Sequence, residues 1–170
     1  MEFHIPYYVW GEETDIRRDI RKQPNGNPWR ASTDLSFLLN SKSSGVDGSP
    51  TGCLYEAQTS LVVTGPNSSI WTACLLTDTY FRDQMDINDE ELLSYHDAAR
   101  VNDGLYYDPL TSGDHDANIP VWNPREYYCL VLMVRIKRIK EEWVKILYHL
   151  KNRIDEYVRG NSNLILIPLY

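Results

Sequence analysis

Residues 123–159, NPREYYCLVLMVRIKRIKEEWVKILYHLKNRIDEYVR, constrain this chain most, because helix signals mark their start, their length and their end. Asn123 is a favoured N-cap residue, Pro124 suits the first helical position, and Glu126 stands where it closes a capping box. Apolar side chains then recur at Cys129, Leu132, Ile136, Ile139, Trp143, Ile146 and Leu150, alternately three and four apart, which makes one continuous stripe. Gly160 is the expected stop. A helix over 123–159 runs roughly 50 Å, more than a domain of this size needs to cover its own core. Part of it is therefore expected to reach a partner, with Ile136, Ile139, Trp143, Ile146 and Leu150 as candidate interaction residues. Two readings of that stripe stand side by side: an ordinary core helix laid over a sheet, and a coiled-coil-like seam pairing with another copy or a downstream helix. Trp143 is bulky for a strict dimer seam and favours packing of the first half on the chain's own sheet.

Before that helix the period changes. In the segment 53–63, Cys53, Tyr55, Ala57, Thr59, Leu61 and Val63 share one face while Glu56, Gln58 and Ser60 share the other, the alternation of a half-buried strand. Residues 65–69 (GPNSS) predict a hairpin connection, and 70–81 (IWTACLLTDTYF), apolar on both faces, read as a central strand. His4–Trp10 reads as a short strand, 24–28 as a loop, and 29–39 as one or two helical turns capped by Ser32 or Thr33. The Ser/Gly-rich segment 40–52 reads as a flexible loop, and its order lacks the glycine-lysine pattern of a phosphate cradle. Asn88, Glu91, Ile87 and Leu92 repeat the capping grammar and predict a helix over about 89–100, followed by a long Asp- and Pro-punctuated loop to Trp122. Residues 161–170 read as a terminal strand or the start of a continuation. The expected whole is a single α+β domain over 1–160, with a small, mostly antiparallel sheet packed against one long helix and a shorter one.

Charge is unevenly spread. The segment 123–159 carries nine basic and five acidic side chains, hence +4, which leaves −11 on the rest of a chain whose formal charge is −7. An acidic body argues against general nucleic-acid binding, and the basic run Arg135, Lys137, Arg138 and Lys140 is spread around the helix as a solvated face. Cys53, Cys74 and Cys129 lack CxxC spacing and read as reduced structural thiols of a cytoplasmic protein. The N-terminus has neither a basic n-region nor an apolar h-region, and no apolar run is long enough to span a bilayer. One chemical constellation stands out: Asp97, Asp108, Asp114, His115 and Asp116, with His96 and Asp103 nearby. Carboxylate oxygens suit hard divalent cations and an adjacent His suits a transition metal, so a metal-binding domain or metal-dependent enzyme is the alternative to an interaction module. Its spacing matches no EF-hand or HExxH pattern, and aspartates in loops commonly cap their own backbone. His149, inside the long helix, reads as a packed or surface residue.

Several phrases together, HIPYYVW, DLSFL at 34–38, LYEAQTSLVVTG followed by IWTACLLTDTYF, DPL, and VWNPREYYCLVLMVRIKRIKEEW, cover most of the chain. In that order they resemble the N-terminal soluble region of uncharacterised filamentous-fungal proteins described as CorA-like magnesium-transporter proteins. The resemblance implies a soluble domain preceding a helical stalk, with membrane spans further along, and it assigns no catalytic residue. The GMN signature of a CorA pore is absent from this sequence, so transport is carried over to no residue.

Overall fold

A computed structural model describes residues 1–38, 51–82 and 108–161 of the chain. The elements are β1 (Glu2–Glu13), β2 (Ser32–Asp34), a 3-10 turn (Ser36–Leu38), β3 (Thr51–Asn67), β4 (Ile70–Thr77), a second 3-10 turn (Pro109–Thr111) and one long helix, α1 (Pro124–Asn161). The sheet has four strands in the order β1-β3-β2, with β4 also paired to β3. This is the expected α+β architecture, an antiparallel sheet with one long C-terminal helix. The expected helix at 89–100, the segment 163–170 and most of the Ser/Gly-rich loop lie outside the described residues.

The central strand is β3, not β4. Its buried positions are those the alternation named, with Cys53, Tyr55, Ala57, Thr59, Leu61 and Val63 all inside. The segment 70–81 was expected in the middle of the sheet. Among the described residues β4 instead pairs with β3 alone, from Thr59↔Thr77 to Asn67↔Ile70, and Ile70 and Leu76 are exposed. At 17 residues β3 is long enough to pair with β1, β2 and β4, which makes it the hub of the sheet. Likewise 32–34 forms a strand rather than the start of a helix. Ser32, Thr33 and Asp34 pair with Tyr55, Leu54 and Cys53, and the backbone bond from Leu35 N to Gly52 O continues the pairing.

The chain divides into two compact units. Unit 1 comprises Met1–Tyr7 and Gln58–Lys140, and unit 2 comprises Tyr8–Ala57 and Glu141–Tyr170. In unit 1, Leu61, Val63 and Val131 form the buried centre, ringed by Phe3, Trp71, Ala73, Leu75, Leu110, Tyr127 and Tyr128. Tyr128 packs edge-on to Phe3 and donates its hydroxyl to the Glu2 carbonyl at 3.0 Å. The hairpin turns at Ser68–Ser69, held by the Asn67 side chain, which accepts from the backbone of Ser69 and Ile70 at 2.9 Å each. Gly65 sits at the bulge beside it, where a Cβ would collide with the Ile70 carbonyl oxygen. In unit 2, Leu35, Cys53, Tyr55, Ala57 and Ile146 are buried. Trp10 stacks on His149 at 4.9 Å and Tyr8 meets Trp143 edge-on. Glu12 lies 3.5 Å from both His149 and Arg153, so His149 is a packed residue as its sequence context suggested.

The helix begins as read. Asn123 Oδ1 accepts from Arg125 N at 2.9 Å, and Glu126 meets the Asn123 side-chain amide rather than its backbone. It does not stop at Gly160 but continues to Asn161, the last described residue. Its buried positions also differ from the sequence stripe. Inside are Val131, Val134 and Ile146, while Cys129, Ile136 and Trp143 are exposed and Leu132, Ile139 and Leu150 are half-buried. The helix carries two apolar faces, and spacing alone does not say which one a sheet covers. Of the three thiols only Cys53 is buried, and burial pushes its pKa up, whereas Cys74 and Cys129 face outward. Among the described residues no helix is long and apolar enough to cross a membrane.

Candidate functional site

Two features of the surface are built by the fold, one in each unit. The first, in unit 1, grows from the loop that the sequence marked as acidic. Asp108 precedes the short 3-10 turn as its N-cap. Its Oδ1 accepts from Leu110 N at 2.9 Å, and its Oδ2 accepts from the Tyr127 hydroxyl at 2.8 Å. The buried Thr111 donates its hydroxyl to the Asp108 carbonyl and accepts from His115 N. His115 Nε2 lies 2.8 Å from the Ile119 carbonyl, which accepts from the Nε2–H tautomer, and Asp116 Oδ1 caps Asn118 N at 2.8 Å. Asp114 faces Lys137 at 3.8 Å. Each of these side chains thus has a role in holding the loop's own turns or in pairing it with α1.

That loop geometry bears on the metal reading directly. Both oxygens of Asp108 already accept hydrogen bonds, and Asp114, His115 and Asp116 are committed to different partners. Among the described residues no group of three His, Cys, Asp or Glu side chains converges as a metal site would require. Asp97 lies outside the described residues. Burial and the Asp108 carboxylate together hold the Tyr127 phenol protonated, pushing its pKa well up, with the Arg135 charge offsetting part of the effect. Arg135 in turn donates to the Leu110 carbonyl.

Above this loop lies a cleft of about 590 Å³ walled by Trp71, Tyr127, Trp122, Leu110 and Ile119, with Asp108 and His115 also lining it. Its size falls within the range of small-ligand pockets. Trp71 and Tyr127 pack with ring centroids 5.1 Å apart, and Trp71 Nε1 donates to the Trp122 carbonyl at 3.1 Å, so the indole N–H braces the wall. Trp122 itself is largely exposed. None of the three aromatics was singled out from sequence as lining a site, because the cleft joins 69–73 to 108–127 across a long sequence separation. Among the described residues the walls offer apolar and aromatic surface with one carboxylate, that of Asp108.

The second feature is the outer face of α1 in unit 2. Here Trp143 is 44% exposed, Leu147 63%, Ile154 49% and Tyr157 44%, while Ile146 is only 1% exposed. Of the five interaction candidates, Ile146 is therefore spent on the chain's own core, Ile139 and Leu150 are half-buried, and Ile136 and Trp143 stand outward. Leu147, Ile154 and Tyr157, absent from the sequence-derived set, complete the outer stripe. Counted along the helix, Lys140, Trp143, Leu147, Leu150, Ile154 and Tyr157 alternate three and four apart, the a and d positions of a heptad. This spacing is legible in the sequence and shares Trp143 and Leu150 with the stripe through Ile146.

The fold and these two surfaces define an α+β module with a long, partly uncovered helix. Comparison of the chain with family models, with curated proteins and with solved structures gave no match.

Proposed function

We propose that the chain is a cytoplasmic protein-interaction module that engages a partner helix through the outward heptad stripe of α1. One observation carries this reading: Trp143, Leu147, Ile154 and Tyr157 on one side of α1 remain exposed and Leu150 between them is half-buried, while Ile146, next in the chain to Leu147, is buried. Contiguous apolar surface of that kind marks interaction sites, and its heptad spacing specifies a helix as the complementary shape. In the fungal CorA-like proteins that the sequence resembles, such a module would precede a helical stalk on the cytoplasmic side.

The test compares two neighbouring truncations in dilute solution by urea unfolding. Ile146→Ala removes buried atoms and should cost about 3 kcal/mol, whereas Leu147→Ala, at an exposed position, should change stability by less than about 0.5 kcal/mol. Equal losses would assign the outer stripe to the chain's own core and overturn the reading.

A further inference from the structure

We propose that the cleft of unit 1 binds a small protonated amine carried on an aromatic body, with the ammonium group at Asp108 and His115 and the ring among Trp71, Trp122 and Tyr127. The site owes nothing to the outward stripe of α1.

The ligand class follows from which hydrogen-bonding groups the walls have already used. The Tyr127 hydroxyl is spent on Asp108 Oδ2 at 2.8 Å, Trp71 Nε1 on the Trp122 carbonyl at 3.1 Å, and the His115 Nε2–H on the Ile119 carbonyl at 2.8 Å. Acceptors remain. A carboxylate offers about four lone-pair sites, whereas Oδ1 and Oδ2 of Asp108 each accept one bond, from Leu110 N and from Tyr127. Because His115 gives its Nε2 proton to a carbonyl, Nδ1 of the neutral ring is a further acceptor. The Ser69 hydroxyl also lines the cleft and can act either way. Among the described residues no lysine or arginine lines it, and the neighbouring cations are engaged elsewhere, Arg135 with the Leu110 carbonyl and Lys137 with Asp114. Walls of this kind complement a ligand that brings donors and positive charge, and they repel one that brings a carboxylate. Asp108 is only 7% exposed, so its charge is weakly screened by water. Trp71, Trp122 and Tyr127 supply apolar area for a ring and π-systems that attract a cation. An ammonium group needs only the lone pairs these acceptors still offer, while a metal ion needs several ligands converging on one point, so the same loop suits the first and not the second.

The experiment is isothermal titration calorimetry of the full chain near neutral pH with probes that share an indole ring and differ in charge: tryptamine, tryptophol and indole-3-propionate. Tryptamine should bind about tenfold more tightly than the neutral tryptophol, the scale of one cation–π contact with one charge-assisted hydrogen bond. Indole-3-propionate should bind most weakly. Asp108→Asn keeps a capping side chain for the 3-10 turn but removes the charge, and should bring tryptamine to the level of tryptophol. Trp122→Ala truncates an exposed ring while its backbone carbonyl still braces Trp71, so tryptamine should weaken severalfold with the Tm unchanged. Tryptophol or indole-3-propionate binding as tightly as tryptamine would overturn the amine as the ligand class. Tryptamine binding unaltered in Trp122→Ala or in a folded Asp108→Asn would place it outside the cleft, and no binding of any probe at millimolar concentration would overturn the cleft as a site. Should Asp108→Asn fail to fold, the probe series on the native chain and the Trp122→Ala titration still decide the matter.

Discussion

Raising the pH above 10 should destabilise this protein through two particular tyrosines, Tyr55 and Tyr127, out of the twelve it contains. Tyr55 is 1% exposed, and burial, with the Cys53 thiol beside it, pushes its pKa far up; its hydroxyl oxygen accepts from Arg17 N at 3.2 Å. Tyr127 is pushed up by burial and by the Asp108 carboxylate that accepts its hydroxyl. A group whose folded pKa is raised stabilises the fold fully below its unfolded pKa, near 10 for tyrosine, and loses that contribution as pH climbs toward the folded value. For one phenol held protonated in the folded chain, linkage gives a loss of about 1 kcal/mol between pH 10 and 11, and about 1.4 kcal/mol per unit beyond. Tyr127 is partly exposed and contributes less than Tyr55. Together they remove about 1.5–2 kcal/mol by pH 11, close to a 1 M fall in the urea midpoint for a typical slope. The assay is urea unfolding by far-ultraviolet circular dichroism at pH 8, 9, 10 and 11 for the native chain, Tyr55→Phe, Tyr127→Phe and the double variant. Lysine titration affects all four alike, so the differences isolate the phenols. Each Phe variant should flatten the alkaline slope, Tyr55→Phe more, and the double variant most. A double variant as steep as the native chain would refute the reasoning.

Leu61→Ala, at the fully buried centre of unit 1, should cost about 3 kcal/mol in urea unfolding; a loss under 1 kcal/mol would show that the cluster is not packed as described. Gly65→Ala forces a methyl group against the Ile70 carbonyl and the Trp71 backbone, and should lower stability by about 2 kcal/mol or more, read as a clear drop in Tm. Millimolar Mg²⁺, Mn²⁺ or Zn²⁺ should leave the Tm unmoved, because Asp108, Asp114, His115 and Asp116 are committed to separate partners. A rise in Tm would restore the metal-binding alternative through mass action.

What the sequence revealed, and what it hid, follows from how local each signal is. The start of α1 was legible because Asn123, Pro124 and Glu126 act within one turn. The inward face of β3 was legible because a strand covered on one face must alternate, and Cys53 through Val63 do so without interruption. By contrast, 32–34 offers Ser, Thr and Asp, which serve helix caps and strand edges equally well, and only the pairing with 53–55 decides between them. The placement of β4 was hidden for a related reason: Ile70 and Leu76 are as apolar as buried residues yet lie exposed, so composition overstated how much of that strand is covered. On α1, the sequence stripe and the outward one share Trp143 and Leu150 and part at Ile146 against Leu147, and which of those two is buried depends on packing rather than on the helix. From spacing alone Ile146 therefore reads as a partner contact and Leu147 does not, although the structure buries the first and exposes the second. The aromatic cleft was out of reach altogether, since Trp71 and Tyr127 meet only through tertiary structure.

Hydroxyl-radical footprinting of α1 tests the central claim most directly, because it reports Ile146 and Leu147 in the same sample. In the dilute folded chain Ile146 should be protected and Leu147 should react freely. A Leu147 as protected as Ile146, or an Ile146 as reactive as Leu147, would contradict the account.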